Sequence, residues 1–178
     1  QKSNVLLLGP TGVGKTFLLN RFINYCEEKQ LRVMKCASTG IAAQNLGGVT
    51  IHSQFRLPIS YEPVLYEDDY VLDTLYSKGN LFKILKRTDI IIIDEISMCR
   101  VDTFTAVMSM LKAFMEESGK NIQIILCGDF CQLPPVITPN DQNLIRTCFP
   151  ENQNGYCFKC KLWNDIGFKT LLLDEVVR

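Results

Sequence analysis

The loop Gly9-Pro10-Thr11-Gly12-Val13-Gly14-Lys15-Thr16 satisfies the spacing Gly-x-x-x-x-Gly-Lys-Ser/Thr at every position. It constrains the fold more than any other stretch, because the pattern works only between a buried strand and the start of a helix. Both are present. Val5-Leu6-Leu7-Leu8 is a continuous apolar run, and Phe17-Leu18-Leu19, Phe22-Ile23 and Cys26 make one apolar face at helical spacing. Glycines let the backbone approach an anion, so that its N–H groups and the positive end of the helix surround it. Such a loop predicts binding of nucleotide phosphates. Lys15 would reach the β and γ phosphates and Thr16 would ligate Mg2+.

The rest of the chain continues the alternation of strand and helix. Arg32 to Ala37 reads as a second strand, and Ser38-Thr39-Gly40 opens a short helix, Ile41 to Leu46, closed by Gly47-Gly48. Leu57 to Gly79 has Pro58, Pro63, an acidic cluster and no sustained period, which reads as a surface insertion. Asn80 can cap a helix through Arg87. Four consecutive isoleucines, Ile90 to Ile93, then predict a strand buried on both faces, as in a parallel sheet covered by helices.

Asp102 is a candidate cap for a helix running to about Ser118, with Phe104, Val107, Met108, Leu111 and Met115 on its apolar face. Ile122 and Ile124 to Cys127 give a fourth strand. A Pro-, Asn- and Asp-rich loop is expected from Leu133 to Asn154, a short helix around Trp163, and a fifth strand at Thr170 to Leu173. Five strands interleaved with helices make an α/β domain with a mainly parallel sheet.

Two polar clusters follow strand ends. An Asp after the isoleucine run, Asp94, can hold the shell of a magnesium ion, and the adjacent Glu95 can orient or deprotonate an attacking water. The next strand ends in Gly128-Asp129-Phe130-Cys131-Gln132-Leu133-Pro134-Pro135-Val136. In open α/β sheets ligands sit beyond the carboxyl ends of the strands, so Gln132 is placed to meet the γ-phosphate. From the residues alone the favoured reading of Thr39 is a helix cap and that of His52 a hydrogen-bonded core residue.

Four ordered motifs together resemble the Pif-type DNA helicases, in the 5′-to-3′ branch of helicase superfamily one and related to RecD. They are Ser-Thr-Gly-Ile-Ala-Ala at 38–43 running to Thr-Ile-His-Ser at 50–53, Asp-Glu-Ile-Ser-Met at 94–98, the 128–136 segment, and Leu-Asp-Glu-Val-Val-Arg at 173–178. The resemblance implies a three-layer P-loop NTPase of RecA-like form, with strand order 5-1-4-3-2. It implies ATP and Mg2+ as ligands, Lys15 and Thr16 on phosphate and metal, Asp94 on the metal, Glu95 activating water, and Gln132 and Arg178 contacting the γ-phosphate. Ser38, Thr39, Gly40, Thr50, His52 and Ser53 match segments lining the path of single-stranded DNA. A second RecA-like domain of the same longer chain is the expected partner, in a monomer. Val177 stands where the family often has Phe, and the upstream glutamine segment that usually reads adenine is not among these residues.

Bulk properties narrow the alternatives. The chain has 178 residues, 47% of them hydrophobic, enough for one globular domain. No run approaches the ~20 apolar residues of a membrane span. An intracellular location is expected: cytoplasm in a bacterium or virus, nucleus or mitochondrion in a eukaryote. Net charge is zero, with seven Lys/Arg against two Asp/Glu in residues 1–60 and the reverse imbalance after them. Binding of DNA by charge alone is thereby disfavoured, whereas hydroxyls and backbone N–H groups can also grip phosphates. The eight cysteines are scattered, and only Cys157 and Cys160 form Cys-x-x-Cys, so free thiols are expected rather than a zinc site. A GTPase would need the guanine reader Asn-Lys-x-Asp, which the chain lacks. A kinase would need an acceptor pocket, and a nucleotide-gated binding module could dispense with Glu95.

Overall fold

The structure, a computed structural model, describes residues 3–57 and 81–174. The insertion beyond Leu57, the Asn80 cap, Val177 and Arg178 lie outside the described residues. Strand β1 (Asn4–Leu8) leads into α1 (Lys15–Glu28), then β2 (Val33–Ala37), α2 (Gly40–Leu46), β3 (Val49–Thr50) and α3 (Ile51–Phe55). The chain continues as α4 (Leu81–Arg87), β4 (Ile90–Asp94), α5 (Val101–Ser118) and β5 (Gln123–Gly128). It closes with α6 (Pro139–Cys148), α7 (Lys161–Ile166) and β6 (Phe168–Leu172).

The strands form one six-stranded sheet in the order β3-β2-β4-β5-β1-β6, with every pairing parallel. The five strands expected from sequence stand in their implied order. The sixth, β3, is a two-residue edge strand pairing Val49 and Thr50 with Cys36 and Ala37. It is too short to show a period. Gly48 makes it possible, since a Cβ there would lie 2.2 Å from the Lys35 carbonyl oxygen.

The isoleucine run is buried on both sides, as expected. Ile91 and Ile93 pack with Leu6, Met34, Leu126, Phe104, Leu111 and Phe114 on one face, and Ile90 and Ile92 with Leu7, Leu19, Ile23 and Cys26 on the other. All four are at most 1% exposed, so each contributes about 1.5–3 kcal/mol of apolar burial.

Three expectations are corrected. Asp102 does not cap α5; Arg100 occupies the cap position, and Asp102 lies fully buried in the first turn, paired to Arg100. The 133–154 loop contains α6, which begins on the capping box of Thr138 and Asp141 with Pro139 in the first turn. The last strand starts two residues earlier than expected, pairing Phe168 with Asn4, and past its end Leu173 donates to the Leu8 carbonyl at 2.8 Å. No disulfide joins any of the eight cysteines, and burial pushes the Cys36 thiol up to about 12. Among the described residues no helix is long and apolar enough to cross a membrane, and no cluster of three His, Cys, Asp or Glu is arranged to hold a metal.

Candidate nucleotide site and adjoining groove

The loop between β1 and α1 depends on its glycines. Gly12 and Gly14 have φ of 88° and 90°, in the region open to glycine, and Gly14 caps α1 without a side-chain bond to the first N–H groups. Those donors therefore face the loop, together with the positive end of a 14-residue helix that has no acid in its first turn. Gly9 is required for another reason: a Cβ there would sit 2.4 Å from the Leu173 carbonyl oxygen. The Lys15 ammonium arches over the loop, donating to the carbonyls of Gly9 (2.6 Å) and Pro10 (2.9 Å). Thr11 and Thr16 are exposed.

The neighbouring strands in the order β4-β5-β1 bring further groups to the same end of the sheet. At the end of β4, Asp94 is 7% exposed and its Oδ1 accepts the Glu95 N–H at 2.8 Å. Glu95 itself has φ 53°, a left-handed conformation that costs a non-glycine residue energy. Burial raises the Glu95 carboxyl above its ordinary value, reinforced by the Asp94 and Asp129 charges and opposed by Lys15. Past β5, Gln132 Nε2 donates to Thr11 Oγ1 and to Asp129 Oδ2, both at 2.7 Å. Asp129 also accepts the Cys131 N–H at 3.0 Å, and the bonds from Gln132 and Cys131 hold its carboxyl below the usual range. The fold thus gathers Thr11, Lys15, Asp94, Glu95 and Gln132, all singled out from sequence. Asp129 was visible in the Gly-Asp pair but not as an anchor for Gln132.

A second concavity, about 280 Å3, opens beside this rim, lined by Ser38, Thr39, His52, Arg100, Val136 and Asp141 among others. The Ser38 N–H donates to the Asp94 carbonyl at 3.1 Å, which links the groove to the end of β4. Ser38 Oγ is buried against the Cys99 thiol, a weak partner. Thr39 Oγ1 caps α2 by accepting the Ala42 N–H at 3.2 Å, and Thr50 Oγ1 caps α3 by accepting from Ser53 N at 3.3 Å. Both hydroxyls can still donate. Burial lowers the His52 pKa below its ordinary value, with Asp102 opposing and Arg100 adding to the shift, so the imidazole is neutral at pH 7. Of the six residues expected along a polymer path, Ser38, Thr39 and His52 line this groove; Gly40 lies in α2, Thr50 at the end of β3 and Ser53 in α3.

Arg100 and Asp141 were not read from sequence as site residues. Arg100 is bidentate to Asp102, from Nε to Oδ1 at 2.9 Å and from Nη2 to Oδ2 at 2.6 Å, and its Nη1 pairs with Asp141. Only the position of Arg100 two residues past the Asp-Glu-Ile-Ser-Met motif could have pointed to it.

The profile of the PIF1-like helicases matches residues 1–178. An ATP-dependent DNA helicase Pif1 from Psychrobacter is 38% identical over 175 residues, covering 97% of this chain and 24% of that protein. One from Campylobacter jejuni is 35% identical, covering 98% of this chain and 37% of that protein. Among solved structures, Pif1 helicase from Bacteroides in complex with ADP-AlF3 and single-stranded DNA superposes with a TM-score of 0.74 at 27% identity, over 99% of this chain and 39% of that one. The chain therefore spans well under half the length of these relatives. By profile, sequence and fold it belongs to the PIF1-like helicase family.

Proposed function

We propose that these residues form the first of two RecA-like motor domains of a longer, monomeric, intracellular 5′-to-3′ DNA helicase, binding and hydrolysing Mg-ATP and gripping single-stranded DNA. The observation that carries this reading is the 2.7 Å bond from Gln132 to Thr11, which joins a polar group beyond β5 to the phosphate loop beyond β1. Beside it stand a cation, Lys15, and an acidic pair, Asp94 and Glu95.

The residues present fit a magnesium ion. Asp94 keeps Oδ2 beyond its bond to the Glu95 N–H, Thr16 offers an exposed hydroxyl, and Mg2+ favours one or two such oxygens plus phosphate and water. When bound, Mg2+ neutralises charge on the β and γ oxygens. The loop N–H groups and Lys15 hold the phosphates, and Gln132 orients the γ-phosphate or the attacking water. Glu95, held above ordinary carboxylate strength, takes the proton from that water; a stronger base accepts it more readily. Arg178 would contact the γ-phosphate, a role that rests on the family resemblance alone.

The groove suits a DNA backbone read without regard to sequence: the Thr39 hydroxyl and a neutral His52 can bond phosphate and sugar. That a Bacteroides relative is known with both ADP-AlF3 and single-stranded DNA supports the same pairing of ligands. The test is Glu95→Gln in the full-length enzyme. ATP binding should persist, whereas DNA-stimulated hydrolysis should fall by roughly 10²–10⁴-fold, the range for a positioned general base. Turnover equal to wild type would make Glu95 a strained strand end and nothing more.

A further inference from the structure

None of the roles above uses Arg100, although it lines the groove and is among the most heavily engaged side chains in the chain. Two of its nitrogens bind Asp102, a carboxylate with no exposed surface, and Nη1 reaches Oδ2 of Asp141. The same Asp141 oxygen accepts the Thr138 hydroxyl at 2.6 Å and the Thr138 N–H at 3.2 Å, closing the capping box of α6. One guanidinium thus ties the first turn of α5 to the first turn of α6. A planar fork can address two carboxylates at once in fixed directions; a lysine ammonium cannot.

What α6 terminates is the connection from β5, residues 129–138. Near its start Gln132 bonds Thr11 of the phosphate loop. Near its finish Val136 stands 69% exposed on the groove wall, with Asp141 just beyond. Pro134 and Pro135 between them remove backbone freedom. The connection is therefore short, stiff and held at both ends, at the nucleotide side by Thr11 and at the groove side by Arg100. With a side chain only 10% exposed and both carboxylates on its fork, Arg100 acts through Asp141.

The geometry points to Arg100 as a positioning residue that couples the groove to the nucleotide site: by holding Asp141 it fixes the far end of the 129–138 connection, so that displacement of the groove wall is felt at Gln132. This rests on the reading of the groove as a single-strand site. The experiment is NMR on the 178-residue chain, following the Thr39 amide and the Gln132 side-chain amide while an oligothymidylate is added. In the wild type both signals should shift. In Arg100→Lys, Thr39 should still respond and the Gln132 shift should be lost. Asp141→Asn cuts the same link from the α6 side, keeps an acceptor for Thr138, and should give the same loss, so the result does not depend on one variant folding well. A merely structural ion pair would lower the melting temperature of both variants yet leave the Gln132 response intact, and that outcome overturns the inference. A wild-type Thr39 signal that ignores the oligonucleotide would instead remove the groove reading, and the inference with it.

Discussion

Lys15 concentrates the electrostatics of the phosphate loop in one atom. Its ammonium spans the loop between the carbonyls of Gly9 and Pro10, so the loop's own backbone holds the cation over the position that the N–H groups surround. Hydrogen bonds to charged groups are worth about 1.5–3 kcal/mol each. Lys15→Ala should therefore weaken Mg-ADP or Mg-ATP binding by roughly 10- to 100-fold or more. Its melting temperature should barely move, because the lost bonds go to partly or fully exposed carbonyls that water can satisfy. Calorimetric titration measures the first and thermal unfolding the second. Equal nucleotide affinity in the variant would argue against the loop as a phosphate site. Glu95 shows the complementary case, a residue held in a left-handed conformation with a raised carboxyl. Its proposed role was read from the Asp-Glu pair that follows four isoleucines. Its strain was not, since a positive φ at glutamate has no mark in the sequence.

At the scale of elements, what could be read in advance were features with a long apolar signal. The Ile90 to Ile93 run, the face of α1 and that of α5 each declare their burial through several residues in phase. Short and polar elements escaped. β3 is two residues long, and α6 carries Pro139, Asn140, Asp141 and Asn143, a composition that reads as loop; yet Thr138 and Asp141 were the capping signal that starts it. Asp102 misled because an acid before an apolar face resembles a cap, when its partner Arg100 draws it into the interior. The Arg100 cluster was unreadable for a related reason, since Asp141 lies far along the chain and only the fold brings it back.

The start of α6 also carries a pH signature. Burial alone would raise the Asp141 carboxyl, but the bonds from Thr138 and Arg100 outweigh it and leave the carboxyl below its ordinary value. A depressed carboxyl adds stability above the unfolded value, near 3.9, and loses it as pH falls through the folded value. The stability gap between wild type and Asp141→Asn should therefore be widest from about pH 5 upward and should close as pH drops below about 4. Urea midpoints across that range measure it. A gap independent of pH would mean that the Asn variant loses packing or capping rather than charge.

For the molecule as a whole, the sheet order decides what can meet what. The ends of β1, β5 and β4 are adjacent and carry the phosphate loop, Gln132 and the acidic pair; the end of β2 continues the same rim into Ser38 and Thr39. The proposed nucleotide site and the groove are thus neighbours on one face of a single body. One body is not enough for the proposed motor. Translocation requires two DNA-gripping bodies that close and separate as nucleotide is bound and hydrolysed, a hinge motion. An arginine brought to the γ-phosphate from a second body can be worth ~10³–10⁵ in rate. The 178-residue chain on its own should therefore fold and bind Mg-nucleotide through its complete phosphate loop. It should hydrolyse ATP slowly, with little response to single-stranded DNA, and open no duplex bearing a 5′ tail. A coupled ATPase assay with and without oligothymidylate, alongside a strand-displacement assay, tests this. If the chain alone hydrolyses ATP at the rate of the full-length enzyme or displaces a strand, then the groove and the phosphate loop form a complete motor, and the requirement for a second RecA-like domain fails.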